Sequence, residues 1–231
     1  MLAIITARGG SKRIPRKNVR IFNGQPIIKY SIDAALASGL FSEVMVSTDD
    51  AEIAELAARV GARVPFMRSA ATANDVATTA EVLLEVLAEY EKRGAHFEHF
   101  CCLYPTAPFV TAAKLQQAWS LLRENRADVV IPVCPFSFPI WRSFKIDQGR
   151  LEFNWPENAL KRSQDLPAAY HDSGQFYFAR TAAFLEERRL VMRRAEPLIL
   201  PATEVQDIDN EEDWELAELK HRFMVERSTL R

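Results

Sequence analysis

The sequence lacks both of the phosphate-binding signatures that are easiest to read. No G-x-x-x-x-G-K-[ST] and no G-x-G-x-x-G occurs in it, so neither a P-loop NTPase nor a dinucleotide fingerprint is expected. Cysteine is scarce: there are 3, at Cys101, Cys102 and Cys134, and no C-x-x-C. The expectation is buried thiols in a reducing cytoplasm, with no zinc centre or disulfide framework. No hydrophobic run approaches the roughly 18 residues of a spanning helix. Arg8 interrupts the opening apolar run, so a secretory signal is not expected either. Charge of one sign is not in excess: 29 Lys and Arg face 31 Asp and Glu, a net −2. That balance argues against nucleic acid or a membrane surface as partner. Internal repeats and low-complexity tracts are also missing.

What is present is a local concentration of positive charge. After the apolar run Leu2 to Ile5 come Gly9 and Gly10, surrounded by Arg8, Lys12, Arg13, Arg16 and Lys17. A buried strand that empties into a glycine turn lets backbone N–H groups approach an anion closely. Five cations so close together repel one another unless something negative is bound, and a polyphosphate fits. The alternative is a solvated basic loop.

With 231 residues, 48% of them hydrophobic, the chain can bury the core of a single domain. Strand-like runs at Leu2–Ile5, Glu43–Ser47, Arg63–Phe66, His99–Tyr104 and Asp128–Val133 alternate with helical patterns. The helices are expected from Pro26 to Ser38, from Ala51 to Val60, from Val76 to Arg93 and from Thr111 to Asn125. This order predicts an α/β fold: a Rossmann-like, doubly wound, mostly parallel sheet with helices on both faces. Ligands in such sheets bind beyond the carboxyl ends of the strands. The basic loop, Ser47-Thr48-Asp49 and Tyr104-Pro105-Thr106 all fall there. Residues 135–170 break the pattern with four prolines, Trp141, Trp155 and a hairpin turn at Asp147-Gln148-Gly149. This β-rich excursion needs cover for its apolar face, from its own sheet or from another chain. Strands at Gly174–Ala179 and Pro197–Leu200 follow. A last helix begins at an Asn210 cap and is expected to lay Trp214, Ala217, Leu219 and Phe223 on the sheet.

Two later segments carry functional residue types. In Asp207-Ile208-Asp209 the alternating geometry of extended chain puts both carboxylates on one side, which suits Mg²⁺. Asp209 could instead assist the cap of the last helix. In His171-Asp172-Ser173-Gly174-Gln175-Phe176-Tyr177, polar groups precede an apolar strand. His171 is either a base or a structural residue.

The run ARGGSKRIPRKN, Ala7 to Asn18, resembles the N-terminal signature of the CMP-sialic acid synthetase family, the acylneuraminate cytidylyltransferases. LYPTAPF at Leu103–Phe109, HDSGQFY and the D-x-D before the final helix extend the likeness over nearly the whole chain. Tyr104 stands where sialic acid synthetases usually show Gln, and these segments look more like the pseudaminic acid branch. The resemblance implies the nucleotide-diphospho-sugar transferase type of fold and a CTP-dependent transfer of CMP to an acidic nine-carbon sugar, assisted by Mg²⁺. It implies a homodimer, with the 135–170 excursion reaching across. By the same likeness Arg8, Lys12 and Lys17 are the catalytic cations, with Ser11 and the amides of Gly9 and Gly10 assisting. Arg13 and Arg16 are either phosphate ligands or rim charges. Asn18, Arg68 and the backbone near Ala7 are implied in cytosine recognition, and Asp75 in orienting Arg68 or binding ribose. Tyr104, Thr106, His171, Asp172 and Gln175 are implied for the sugar, and Asp207 and Asp209 for the metal.

Overall fold

A computed structural model describes residues 1–229. The chain opens with β1 (Leu2–Thr6), the basic loop and a small hairpin of β2 (Ile21–Phe22) and β3 (Gln25–Pro26). Asn23 and Gly24 both take positive φ, at 43° and 90°, as a two-residue hairpin turn requires. There follow α1 (Ile27–Ser38), β4 (Glu43–Ser47), α2 (Ala51–Arg59), α3 (Thr79–Lys92) and β5 (His99–Leu103). Next are α4 (Ala112–Glu124) and β6 (Val129–Pro135), then a separate hairpin of β7 (Phe144–Asp147) and β8 (Arg150–Phe153). The chain ends with β9 (Tyr170–Asp172), β10 (Phe176–Arg180), α5 (Thr181–Glu187), β11 (Ala195–Ile199) and α6 (Glu211–Thr229).

The main sheet has seven strands in the order β11-β6-β10-β5-β1-β4, with β9 pairing β6 as well. β1 runs parallel to β4 and β5, and β11 parallel to β6. β10 enters antiparallel between β5 and β6, and β9 pairs antiparallel with the far end of β6. Because successive side chains of a strand face opposite ways, β1 feeds two cores. Ala3 and Ile5 pack with Ile28, Ile32, Leu115 and Leu122 of α1 and α4. Leu2 and Ile4 pack with Leu83, Val86 and Tyr90 of α3 and with Phe184 of α5. Helices therefore cover both faces.

A third cluster lies apart from the sheet. Ile14 from the basic loop, Phe22, Ile27, Phe109, Ile208, Trp214 and Ala217 pack together, and Ile14 and Ile208 are 0% and 1% exposed. Phe22 meets the Trp214 ring edge-on at 5.5 Å. This cluster corrects the expectation for the last helix. Of the four residues expected on the sheet, Trp214 and Ala217 are buried but sit here instead, while Leu219 and Phe223 are exposed.

Three other expectations shift for local reasons. Arg63–Phe66 forms no strand but a single bridge from Met45 to Arg63, because Pro65 has no N–H to extend a ladder. α3 starts at Thr79 and not near Val76. The Asn74 carboxamide accepts from the amides of Val76 and Ala77, and Thr78 with Glu81 then forms a capping box. In the excursion, Trp141 to Ile146 reads as one strand-like run, but Ile140–Arg142 is a 3₁₀ turn and β7 begins at Phe144.

Ile14→Ala is expected to destabilise the protein by about 2–5 kcal/mol, the usual cost of emptying a packed site, as measured by urea unfolding. A loss well below 1 kcal/mol would show that the third cluster does not hold the basic loop.

Candidate active site

The basic loop is shaped by bonds made at its root. Ala7 continues the β1 ladder, its amide donating to Ser47 O at 3.0 Å. The Gly9 amide then donates to Asp49 Oδ1 at 2.9 Å. A Cβ on Gly9 would stand 2.6 Å from Asp50 Oδ2 and 2.9 Å from Asp50 Cβ, so this close approach requires glycine. Gly10 has open space around it, with nothing within 4 Å of an added Cβ. Buried Asn18 closes the loop, its Nδ2 donating to Arg8 O at 2.8 Å.

Arg16 leaves the group of five cations. Its φ is 57°, and its guanidinium pairs with Asp50 at 2.6 Å and with Glu52. Asp50 also caps α2, accepting from Ile53 N at 3.0 Å. The hydrogen bond from Arg16 holds the Asp50 carboxyl below its ordinary range. Arg16 thus anchors the loop to α2, and the other four cations line the cleft.

That cleft encloses about 460 Å³ between the loop (Arg8, Ser11, Lys12, Arg13, Lys17, Asn18) and the segment after β5 (Tyr104, Pro105, Thr106). A smaller chamber of about 210 Å³ adjoins it, lined by Arg68, Thr72, Asn74 and Thr79. Thr6, Arg8, Asp75 and Tyr104 border both. Arg8 Nη1 meets Asp75 Oδ1 at 2.6 Å, and Lys12 pairs with the other oxygen of the same carboxylate. The two cations hold Asp75 below its ordinary range, Lys12 more strongly than Arg8. Arg68 is buried and donates from Nε to Ser47 Oγ at 3.0 Å and from Nη2 to Ser47 O at 2.7 Å.

The acidic pair comes to the same place. Lys17 Nζ donates to Ile208 O at 2.6 Å, and Arg13 Nη2 meets Asp209 Oδ1 at 2.6 Å. Capping of α6 falls to Asn210, whose Oδ1 accepts from Asp213 N at 2.9 Å. The Asp209 carboxylate is therefore free to face the loop. Burial pulls the Lys17 ammonium down, against the opposing pull of Asp209 and Asp207. Burial and the like charge of Asp209 push the Asp207 carboxyl up. Two crowded carboxylates beside a phosphate-sized cleft suit a small hard cation. No group of three or more His, Cys, Asp or Glu among the described residues could hold a metal alone. A cation here would thus take its remaining ligands from water and phosphate, as Mg²⁺ does.

The sugar candidates divide. Tyr104 and Thr106 line the cleft, while His171, Asp172 and Gln175 are not among its lining residues. His171 pairs opposite Cys134 at the sheet edge, its ring 5.0 Å from Phe136. Gln175 is buried and donates to Glu204 O at 2.7 Å, tying the segment before the acidic pair to β10. Asp172 reaches the site only indirectly, accepting from the Tyr177 hydroxyl. Thr6 and Thr79 were not anticipated as lining residues. Thr6 reads as the end of a strand and Thr79 as the start of a helix, and neither sequence pattern marks a site.

The Cytidylyltransferase family model matches residues 2–215. A pseudaminic acid cytidylyltransferase from Campylobacter jejuni is 40% identical, over 96% of this chain and 96% of its own. A CMP-N,N'-diacetyllegionaminic acid synthase from Legionella pneumophila is 33% identical, over 94% of each chain. The solved structure of CMP:2-keto-3-deoxy-manno-octonic acid synthetase complexed with CTP superposes with a TM-score of 0.70, covering 98% of each chain at 16% identity. That last likeness is one of fold.

The raised Asp207 carboxyl fixes the sign of a stability effect. The folded chain binds this proton more tightly than the unfolded chain, so stability falls as pH rises from the ordinary carboxylate value through the raised one. At neutral pH, Asp207→Asn is expected to raise the melting temperature of the ligand-free protein by up to about 3 °C. An unchanged or lowered melting temperature would show that the pair carries no mutual repulsion.

Proposed function

This chain belongs to the cytidylyltransferase family, and we propose that it transfers CMP from CTP to the anomeric hydroxyl of pseudaminic acid, a nine-carbon 2-keto acid sugar, with release of pyrophosphate. The observation that carries this reading is the meeting of Lys17 and Arg13 with the Asp207-Ile208-Asp209 segment beside one cleft. The Campylobacter relative and the Tyr104 in place of glutamine favour pseudaminic acid over sialic, legionaminic or eight-carbon acids.

The transfer requires positive charge on the leaving phosphates, a fixed α-phosphate and a positioned hydroxyl. Arg8, Lys12 and Lys17 bind the triphosphate, Arg8 and Lys12 exchanging Asp75 for phosphate oxygens. Ser11 and the Gly10 amide add neutral donors, and the Gly9 amide stays with Asp49. Arg13 sits beside Asp209 at the same rim. Asn18, Arg68 and the Ala7 backbone hold the base, and Asp75, once released, is available to the ribose. Asp207 and Asp209 would hold Mg²⁺, which neutralises phosphate charge and polarises the α-phosphate when bound. Tyr104 and Thr106 face the sugar, with Asp172, His171 and Gln175 supporting that side. The anomeric hydroxyl is more acidic than an ordinary alcohol, which lessens the need for a strong protein base.

The active unit is a homodimer joined through residues 135–170. Phe138, Phe144, Ile146 and Leu151 are all exposed there, and an isolated hairpin of this kind is marginal in water without a partner. The reaction belongs in the cytoplasm, where CTP is available. All three cysteines are free and buried, which agrees with a reducing compartment.

Pyrophosphate release from CTP and Mg²⁺ is expected to be fastest, as kcat/KM, with pseudaminic acid among nine-carbon and eight-carbon keto acids. A higher value with legionaminic or sialic acid would overturn the substrate assignment. Asp209→Ala is expected to lower kcat by about a hundredfold or more without loss of folding. A near-normal rate in that variant would remove the metal role.

A further inference from the structure

The acidic pair sits on a segment that belongs to no strand: after the 3₁₀ turn Ala202–Glu204 the chain runs irregularly to α6. Side chains take up its carbonyls instead. Val205 O accepts from Lys220 Nζ at 2.8 Å, and Ile208 O from Lys17 Nζ at 2.6 Å. Those two donors come from α6 and the basic loop. Glu204 ties the segment to the opposite wall of the cleft, residues 104–109, and it does so twice. Glu204 O accepts from Gln175 Nε2 at 2.7 Å, and Gln175 O in turn accepts from the Tyr104 amide at 2.9 Å. Glu204 Oε2 meets Lys114 Nζ at 2.7 Å, and the same ammonium donates to Phe109 O at 2.7 Å. Glu204 thus joins both ends of the stretch that carries Tyr104 and Thr106 to the stretch that carries Asp207 and Asp209.

Stability alone does not account for Lys114. It is 8% exposed and stands in the first turn of α4, just after the Thr111 cap. Burial pulls its ammonium down, against the opposing pull of Glu204. A cation at the N-terminus of a helix works against the helix dipole. A buried ion pair is often no more stabilising than apolar side chains of similar volume. What the position does offer is reach. A helical side chain leans back towards the N-terminus of its own helix, and this brings Nζ to the Phe109 carbonyl and to Glu204.

We propose that the Lys114–Glu204 pair holds the acidic segment in register with the sugar-facing segment, so that the sugar hydroxyl and the α-phosphate meet at reacting distance. Neither residue lines either chamber, so both are positioning residues. The inference rests on the cytidylyltransferase reading and adds to it the part of the chain that aligns its two substrates.

The test compares Lys114→Met, Glu204→Met and the double variant, with pyrophosphate release from CTP, Mg²⁺ and pseudaminic acid as the assay and melting temperature as the folding control. Glu204→Met strands a buried ammonium and is expected to melt lowest, whereas the double variant, apolar at both positions, is expected to melt within about 3 °C of wild type. In the double variant kcat is expected to fall about tenfold, because a misplacement on the order of 1 Å is enough to cost that much. The KM values for CTP and for the sugar acid are each expected to stay within about threefold of wild type. Calorimetric CTP affinity without Mg²⁺ is expected within about twofold of wild type, and its gain on adding Mg²⁺ to shrink about threefold or more. Lys114→Met leaves the part-exposed Glu204 carboxylate to water; it is expected to show the same kcat loss and covers the case of an unfolded double variant. Lys114→Arg, which keeps the charge, is expected to recover part of that loss. A double variant that melts like wild type and turns over at the wild-type kcat would overturn the proposal. So would a kcat loss matched by an equal loss of CTP affinity without Mg²⁺. Either result with an active wild type leaves the cytidylyltransferase reading standing. No wild-type turnover with CTP and any keto acid sugar overturns that reading, and this inference with it.

Discussion

Two segments at opposite ends of the sequence are joined by one apolar contact region and a part-buried hydrogen bond. Ile14 and Ile208 are packed in the same cluster beneath α6, and Lys17 Nζ donates to Ile208 O at 2.6 Å. Each isoleucine sits among charged neighbours: Arg13 beside Ile14, and Asp207 and Asp209 on either side of Ile208. With the isoleucines buried, Arg13 lines the cleft, and Arg13 and Lys17 tie the Asp207-Ile208-Asp209 segment to its rim. The packing therefore sets the electrostatics, and the charges, which repel and screen one another, could not set the packing.

The charges also balance without a ligand. Arg8 and Lys12 share Asp75, Arg13 meets Asp209, and Arg16 holds Asp50 and Glu52. Apart from Arg16, whose partners lie at the root of α2, each of these contacts is exposed enough to be individually weak. They keep the loop from flying apart under its own charge yet leave its cations easy to exchange onto phosphate. Deeper in the site, buried Asn18 and Arg68 are bonded to the backbone of Arg8 and Ser47. A firm base under a weakly paired rim suits an enzyme that must bind a polyanion and then release pyrophosphate.

The sheet and its flanking helices were readable because their apolar periods are long and their caps are marked. Asp50 and Thr111 cap helices by hydrogen bonding that their residue types announce, whereas the Thr78 cap of α3 was missed. The antiparallel entry of β10 was not readable, since a strand's direction within a sheet leaves no mark on its own sequence. The fate of Leu219 and Phe223 was misjudged for a related reason: helical spacing gives a face but not the surface it meets. Residue type and spacing marked the cations and the acidic pair as candidates, and the structure brings Arg13 to Asp209 and Lys17 to the Ile208 carbonyl between the two carboxylates. That Arg16 turns to Asp50, and that Gln175 turns to Glu204 O, depends on tertiary contacts alone.

The central claim is that the basic loop and the acidic pair serve one triphosphate. CTP affinity measured calorimetrically with and without Mg²⁺, in wild type and in a variant carrying Asp207→Asn and Asp209→Asn, tests it most directly. The account predicts that Mg²⁺ strengthens CTP binding in wild type, leaves CMP binding unchanged, and has no effect on CTP in the variant. An equal Mg²⁺ effect in both proteins would contradict it.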